Sequence, residues 1–101
     1  MRNIDNLYQA YKEYVTTMIR RYVHNIPSVT QAEEKAIEIV DECYKTLNAA
    51  DKKIIDYVFG RCDSIADNIL EYSLATSYTD DEIWTIVKRF EKEVAVKRGL
   101  I

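Results

Sequence analysis

Glycine, proline and histidine are scarce in this chain: two, one and one among 101 residues. So few turn-forming and helix-breaking residues argue against a sandwich or barrel, which needs a turn at every strand end, and against a disordered linker. Two cysteines, Cys43 and Cys62, are too few for a disulfide framework, and their apolar neighbourhoods suit reduced core residues. No apolar run approaches the roughly 18 residues of a membrane span, and Met1 to Asn6 lack the apolar core of a signal peptide. The expected setting is the cytoplasm, with no membrane partner. Positive charge is not in excess either. Lys and Arg number 14 against 17 Asp and Glu, a formal net charge of -3, so any contact with nucleic acid depends on a local patch.

What is present is helical patterning. With 48% hydrophobic and 31% charged residues, a chain of this length holds one domain and one modest core, and the expected class is all-α with about five helices. From Ile4 to Tyr22 the apolar residues Ile4, Tyr8, Tyr11, Val15, Met18 and Tyr22 recur at steps of four and three, the mark of a long amphipathic helix. Pro27 restricts Ile26 and ends it, with His24 as a C-terminal cap residue. Thr30-Gln31-Ala32-Glu33 is a capping box that opens a second helix through Ala36, Ile37, Val40, Cys43, Tyr44 and Leu47. The two form an antiparallel hairpin, residues 1–47, since neither can bury its stripe alone.

A three-helix unit follows over residues 48–101. Asn48 or Ala49 opens a helix that buries Ile54, Ile55, Val58 and Phe59 and closes on Gly60 as a left-handed cap. Asp63 or Ser64 caps a shorter helix whose apolar face runs through Ile65, Ile69, Leu70 and Leu74. After the turn Ala75 to Tyr78, Thr79-Asp80-Asp81-Glu82 is a second capping box. The last helix turns Ile83, Trp84, Val87, Phe90 and Val94 inward and stops at Gly99.

Sequence features that carry chemistry are few. Glu33, Glu34, Glu38, Asp41 and Glu42 share a helix but lack the Glu-x-x-His partners of a bundle metal site. His24, Cys43 and Cys62 have no zinc-ligand spacing, and Cys62 has only Arg61 beside it as an activating charge. Phosphate loops, nucleophile elbows and Walker patterns are missing. No cofactor, metal or enzymatic role is expected.

Basic residues gather at Arg20-Arg21 and at Lys88-Arg89, Lys92, Lys97 and Arg98. The outward face of the last helix would present Thr85, Lys88, Arg89 and Lys92 to phosphates or base edges. The run Asp51-Lys52-Lys53-Ile54-Ile55-Asp56-Tyr57-Val58-Phe59, then Ile65 to Leu74, then Lys88 to Ile101, resembles the C-terminal helix-turn-helix of phage late-gene transcription activators of the RinA and ArpU type. Those in turn look like the promoter-reading C-terminal domain of sigma factors. The resemblance covers about half the chain, and it implies a small phage or prophage transcriptional regulator. Thr79 would cap its recognition helix, and Thr85, Lys88, Arg89 and Lys92 would contact DNA, with Arg20, Arg21, Lys52 and Lys53 on flanking phosphates. A homodimer seam would use Tyr8, Tyr11, Val15, Met18 and Tyr22. Asp81 and Glu82 depart from the family pattern, because carboxylates there repel phosphate, and the connection Leu74 to Tyr78 is longer than the usual tight turn. The alternative expectation is an acidic all-helical adaptor that keeps a degenerate helix-turn-helix and binds a protein or peptide instead of DNA.

Overall fold

The computed structural model describes residues 4–100, with side chains from Tyr11 onward. The described residues form five α-helices and no strand: α1 (Ile4–Val23), α2 (Gln31–Lys45), α3 (Ala49–Gly60), α4 (Ile65–Ala75) and α5 (Asp80–Arg98). An all-α class with about five helices is therefore what the chain adopts.

Helix starts follow the local chemistry of the chain. Thr30, Asn48, Ser64 and Thr79 each hold extended backbone and accept a hydrogen bond from the amide three residues on, which satisfies one of the orphan donors of the first turn. Only Thr79–Glu82 is a reciprocal capping box. In the first box Glu33 reaches past its cap residue: Oε2 accepts from the Val29 amide at 2.8 Å and Oε1 takes the Arg21 guanidinium at 2.9 Å.

Two helix ends differ from expectation. α1 ends at Val23, and two residues before Pro27 the chain turns at Asn25, whose φ of 55° is left-handed. The Asn25 amide donates to the Tyr22 carbonyl and the Ile26 amide to that of Arg21, a Schellman ending with Asn in the glycine position. His24 is exposed and contributes its backbone amide, which donates to Arg20. Gly60 is not a left-handed cap, because among the described residues positive φ values belong to Asn25 and to Gly99, at 80°. α3 ends instead on an extended Arg61, and Gly60 lies where a Cβ would stand 3.4 Å from Val23 Cγ1. Gly99 does close α5, with the amides of Gly99 and Leu100 returned to Val96 and Ala95.

The core is one cluster to which every helix contributes. Val15, Met18 and Ile19 come from α1; Ala36, Val40 and Cys43 from α2; Ile54, Ile55, Val58 and Phe59 from α3; Ile69 from α4; and Ile83, Val87, Phe90, Val94 and Ala95 from α5. Each large member contributes about 1.5–3 kcal/mol by leaving water. α5 packs against all four other helices. It therefore buries a wide arc, and that arc includes Glu91, whose Oε2 accepts from Thr16 Oγ1 at 2.9 Å. The connection from α1 to α2 is clamped by the Arg21–Glu33 pair, which ties the end of one helix to the start of the next.

α4 departs from its expected face. Ile65 and Ile69 turn inward, but the third inward position belongs to Asn68, which is fully buried, while Leu70 and Leu74 are 48% and 80% exposed. The α3 ending explains the asparagine. An extended cap leaves the last α3 carbonyls without intrahelical donors, and Asn68 Nδ2 donates to the carbonyls of Val58 at 2.8 Å and Asp63 at 3.1 Å.

The two glycines should respond oppositely to alanine. Gly99→Ala forces a Cβ into left-handed backbone and should lower the unfolding free energy by about 1–2 kcal/mol. Gly60→Ala meets only ordinary contact with Val23 and should be neutral or stabilising by up to about 1 kcal/mol. Urea midpoints at constant m-value separate the two, and equal losses would contradict the helical assignment of Gly60.

Candidate functional site

Two surfaces compete for a functional role, and both belong to α4 and α5. On α5 the outward arc carries Asp81, Glu82, Thr85, Lys88, Arg89, Lys92 and Val96, all exposed. It lies between Lys12 of α1, whose Nζ stands 5.9 Å from the Trp84 ring centre, and Asp51 of α3, which approaches Arg89 at 3.8 Å. Lys88 stands over the same indole at 5.4 Å, and Thr85 Oγ1 donates back to the Asp81 carbonyl at 2.8 Å. The arc is bipolar: carboxylates at its start, ammonium and guanidinium groups further along.

The other basic residues expected on phosphates occupy different settings. Arg20 reaches across to the end of α3, donating from Nη1 to the Arg61 carbonyl at 3.0 Å and from Nη2 to the Asp63 carbonyl at 2.8 Å. With Asn68, it supplies the donors that the extended α3 ending lacks. Arg21 is held by Glu33. Lys52 stands over the Tyr44 ring at 5.4 Å, and Lys53 is exposed on α3. The structure thus gathers Lys88, Arg89 and Lys92 on one face and assigns Arg20 and Arg21 to internal contacts. Of the expected dimer seam, Val15 and Met18 are buried in the chain's own core and Tyr11 is exposed. Tyr22 is half-buried with its hydroxyl donating to Asp41 at 2.6 Å, and the side chain of Tyr8 lies outside the described residues.

The second surface is the outer face of α4, with Ala66, Asp67, Leu70 and Leu74 exposed and Glu71 at its edge, paired with Arg61 at 3.0 Å. Its signal was present in the chain but is one of absence. Between Arg61 and Lys88 stand six carboxylates, Asp63, Asp67, Glu71, Asp80, Asp81 and Glu82, and no Lys, Arg or His. The rest of the chain, with eleven acids against fourteen bases, is net positive. Periodicity alone did not reveal this face, because Ile65, Ile69, Leu70 and Leu74 read as one inward stripe until Asn68 is seen to take the inward place.

The α4–α5 connection is fixed by its own side chains. Ser73 Oγ donates to the Tyr78 carbonyl at 3.0 Å, Thr76 Oγ1 donates to Tyr72 at 2.8 Å and accepts from the Tyr78 amide at 3.3 Å, and the Thr79–Glu82 box follows. The rings of Tyr57, Tyr72 and Tyr78 meet in sequence with tilted planes, at 4.9 and 6.2 Å between centres, and Arg61 covers Tyr57 at 5.0 Å.

Of the two free cysteines expected in the core, Cys43 is buried but Cys62 is exposed. Among the described residues no group of three or more His, Cys, Asp or Glu side chains could hold a metal, and no helix is long and apolar enough to cross a membrane. Burial pushes the Cys43 thiol up to about 11, away from nucleophilic use at neutral pH. The crease lined by Tyr14, Val15, Met18, Ala36, Val94, Arg98 and Leu100 has no room for a water molecule.

Two variants test these placements. Arg20→Ala should cost about 1–2 kcal/mol of stability through two lost charge-assisted bonds, whereas a residue serving phosphate alone would be neutral in urea unfolding. Burial, then the bond to Asp41, holds the Tyr22 proton more tightly than in the unfolded chain, so stability is full below about pH 10 and falls as pH rises beyond it. Asp41 is lowered, first by Lys45 and then by Tyr22, so its contribution is present above about pH 4 and lost as pH falls. Tyr22→Phe should make the alkaline fall shallower, and an unchanged alkaline arm in the urea midpoint against pH would sink this account. Comparison of the chain with known protein families, curated proteins and solved structures finds no match.

Proposed function

We propose that this chain is a helical protein-binding module that engages its partner through the outer face of the α4–α5 unit. The observation that carries the proposal is the unbroken run of six carboxylates from Asp63 to Glu82 without a single basic side chain, set on an α4 that exposes Leu70 and Leu74. A helix-turn-helix brings the start of its second helix and its first helix to the duplex. Here that start carries Asp80, Asp81 and Glu82. A carboxylate held about 4 Å from a phosphate costs about 1 kcal/mol even in the dielectric of bulk water. Three or more such approaches would offset what Lys88, Arg89 and Lys92 gain further along. The same groups attract a cationic protein surface, and the exposed leucines supply apolar area to bury against it.

A second reading rests on the exposure of Thr85, Lys88, Arg89 and Lys92: a sequence-specific DNA contact by the middle of α5, as the resemblance to the RinA and ArpU type of activator implies. Both readings place the chain among non-enzymatic regulators or adaptors.

One experiment separates them. A photo-reactive residue in place of Leu74, or of Lys88, is cross-linked in cells that express the full chain, and the captured species is identified. Protein captured through position 74, with no salt-sensitive binding of duplex DNA in anisotropy at about 50 mM salt, is the expected result. DNA captured through position 88, with affinity lost in the Lys88→Ala, Arg89→Ala double variant, would replace the proposal by the second reading.

A further inference from the structure

Resting on the protein-binding reading of the same face, we infer that the occupant of α4 is a basic amphipathic helix, seated with its apolar anchors on Leu70 and Leu74 and its Lys or Arg side chains on Asp67 and the acids that open α5. Three features of the face select this chemistry over other protein surfaces.

The first is its shape. Leu70 and Leu74 lie one helical turn apart, about 6 Å along the axis, on the side of α4 opposite Ile65 and Ile69. Such a ridge fits the groove between anchors spaced at i, i+3, i+4 and i+7 on another helix. A strand partner would need a free sheet edge, and the described residues contain no strand.

The second is its charge. Asp67 is exposed on the leucine face, and Asp80 and Asp81 follow a few residues beyond Leu74. No basic residue lies between Arg61 and Lys88 to neutralise them; only Glu71 has a cation, Arg61, beside it. An acidic or neutral helix would desolvate these carboxylates without return, whereas a Lys- or Arg-flanked helix pairs with them and is steered to the face from solution.

The third is preorganisation. α4 is not anchored by the leucines that it exposes. Asn68 ties its first turn to α3, while Ser73, Thr76 and the Tyr57–Tyr72–Tyr78 ring contacts fix its end. Little ordering entropy remains to be lost when a partner arrives. Removing the leucines also leaves the fold intact, since exposed side chains free of such roles alter stability by no more than about 0.5 kcal/mol.

The test uses the full chain and fluorescent synthetic helices of about 18 residues, long enough to be helical when bound. One carries Leu at i, i+3, i+4 and i+7 with Lys on both flanks, and a second keeps the leucines but replaces Lys by Glu. Anisotropy should show saturable binding of the Lys helix only, weakened at least about tenfold by Leu70→Ala with Leu74→Ala and several-fold by Asp67→Asn. Affinity should also fall as salt rises from about 50 to 300 mM. Circular dichroism checks that each variant is folded. Equal binding of both helices, or wild-type affinity in the double leucine variant, would overturn the inference.

If no helix binds and sedimentation shows a dimer that the leucine substitutions dissolve, the occupant is a second copy of the chain and the inference fails. If position 74 captures in cells a protein whose contact segment is neither basic nor helical, the inference fails while the protein-binding reading stands. Capture of DNA alone removes both.

Discussion

Everything in this fold depends on α5 having to bury most of its circumference. Ile83, Val87, Phe90 and Val94 form one inward row, Glu91 and Ala95 extend it to a second flank, and each of the other helices packs on some part of it. A helix so enclosed is a poor probe. What remains outward is a single arc from Asp81 to Val96, edged by Lys12 of α1 and Asp51 of α3. Exposed leucines occur instead on α4, the shortest of the five helices, at Leu70 and Leu74.

That division shows how far the residues speak for themselves. Helix starts were legible because a Ser, Thr or Asn oxygen meeting the third amide is a local event, and Asn48, Ser64 and Thr79 behave so. The inward rows of α3 and α5 were legible from period alone. The ends were less so. Whether Gly60 or Arg61 terminates α3 depends on which tertiary groups can satisfy the last carbonyls, and those come from distant positions, Arg20 and Asn68; α1 ends locally, its Arg21 and Tyr22 carbonyls taken by the amides of Ile26 and Asn25. The inward place of Asn68 could not be seen without knowing that α3 ends extended. Once an amide occupies that position, Leu70 and Leu74 have to turn away from the core, because the two sides of one helix exclude each other.

The same dependence explains why the settings of Arg20 and Arg21 could not be read from sequence. Arg20 and Arg21 carry charge at the end of a helix, where a phosphate contact and a structural role look alike in sequence. Only geometry shows one guanidinium on two backbone carbonyls and the other on Glu33. An acid, by contrast, has few internal donors to meet in a segment without Lys or Arg, so the carboxylates of α4 and of the α5 start remain at the surface with Glu71 alone answered by Arg61. Missing bases were the readable sign of the candidate site.

Charge segregation of this kind has a physical cost that bears on its purpose. Six like charges within one helix, one connection and one first turn repel one another, and the fold recovers only part of that through the favourable ends of α4 and α5, where Asp67 and Asp80 to Glu82 meet the positive end of the helix dipole. A chain under no demand beyond folding could relieve the repulsion with a single lysine anywhere between Cys62 and Val87, most simply at position 66 or 70 on the exposed side of α4. Those positions hold Ala66 and Leu70. An apolar residue there gains nothing for the isolated fold, since it faces water, but it removes the solvent barrier to a cationic, apolar-faced partner while leaving the field of the carboxylates unscreened. The repulsion within the unit and the exposed leucines are thus both unfavourable alone, and the basic helix we propose as partner would relieve both.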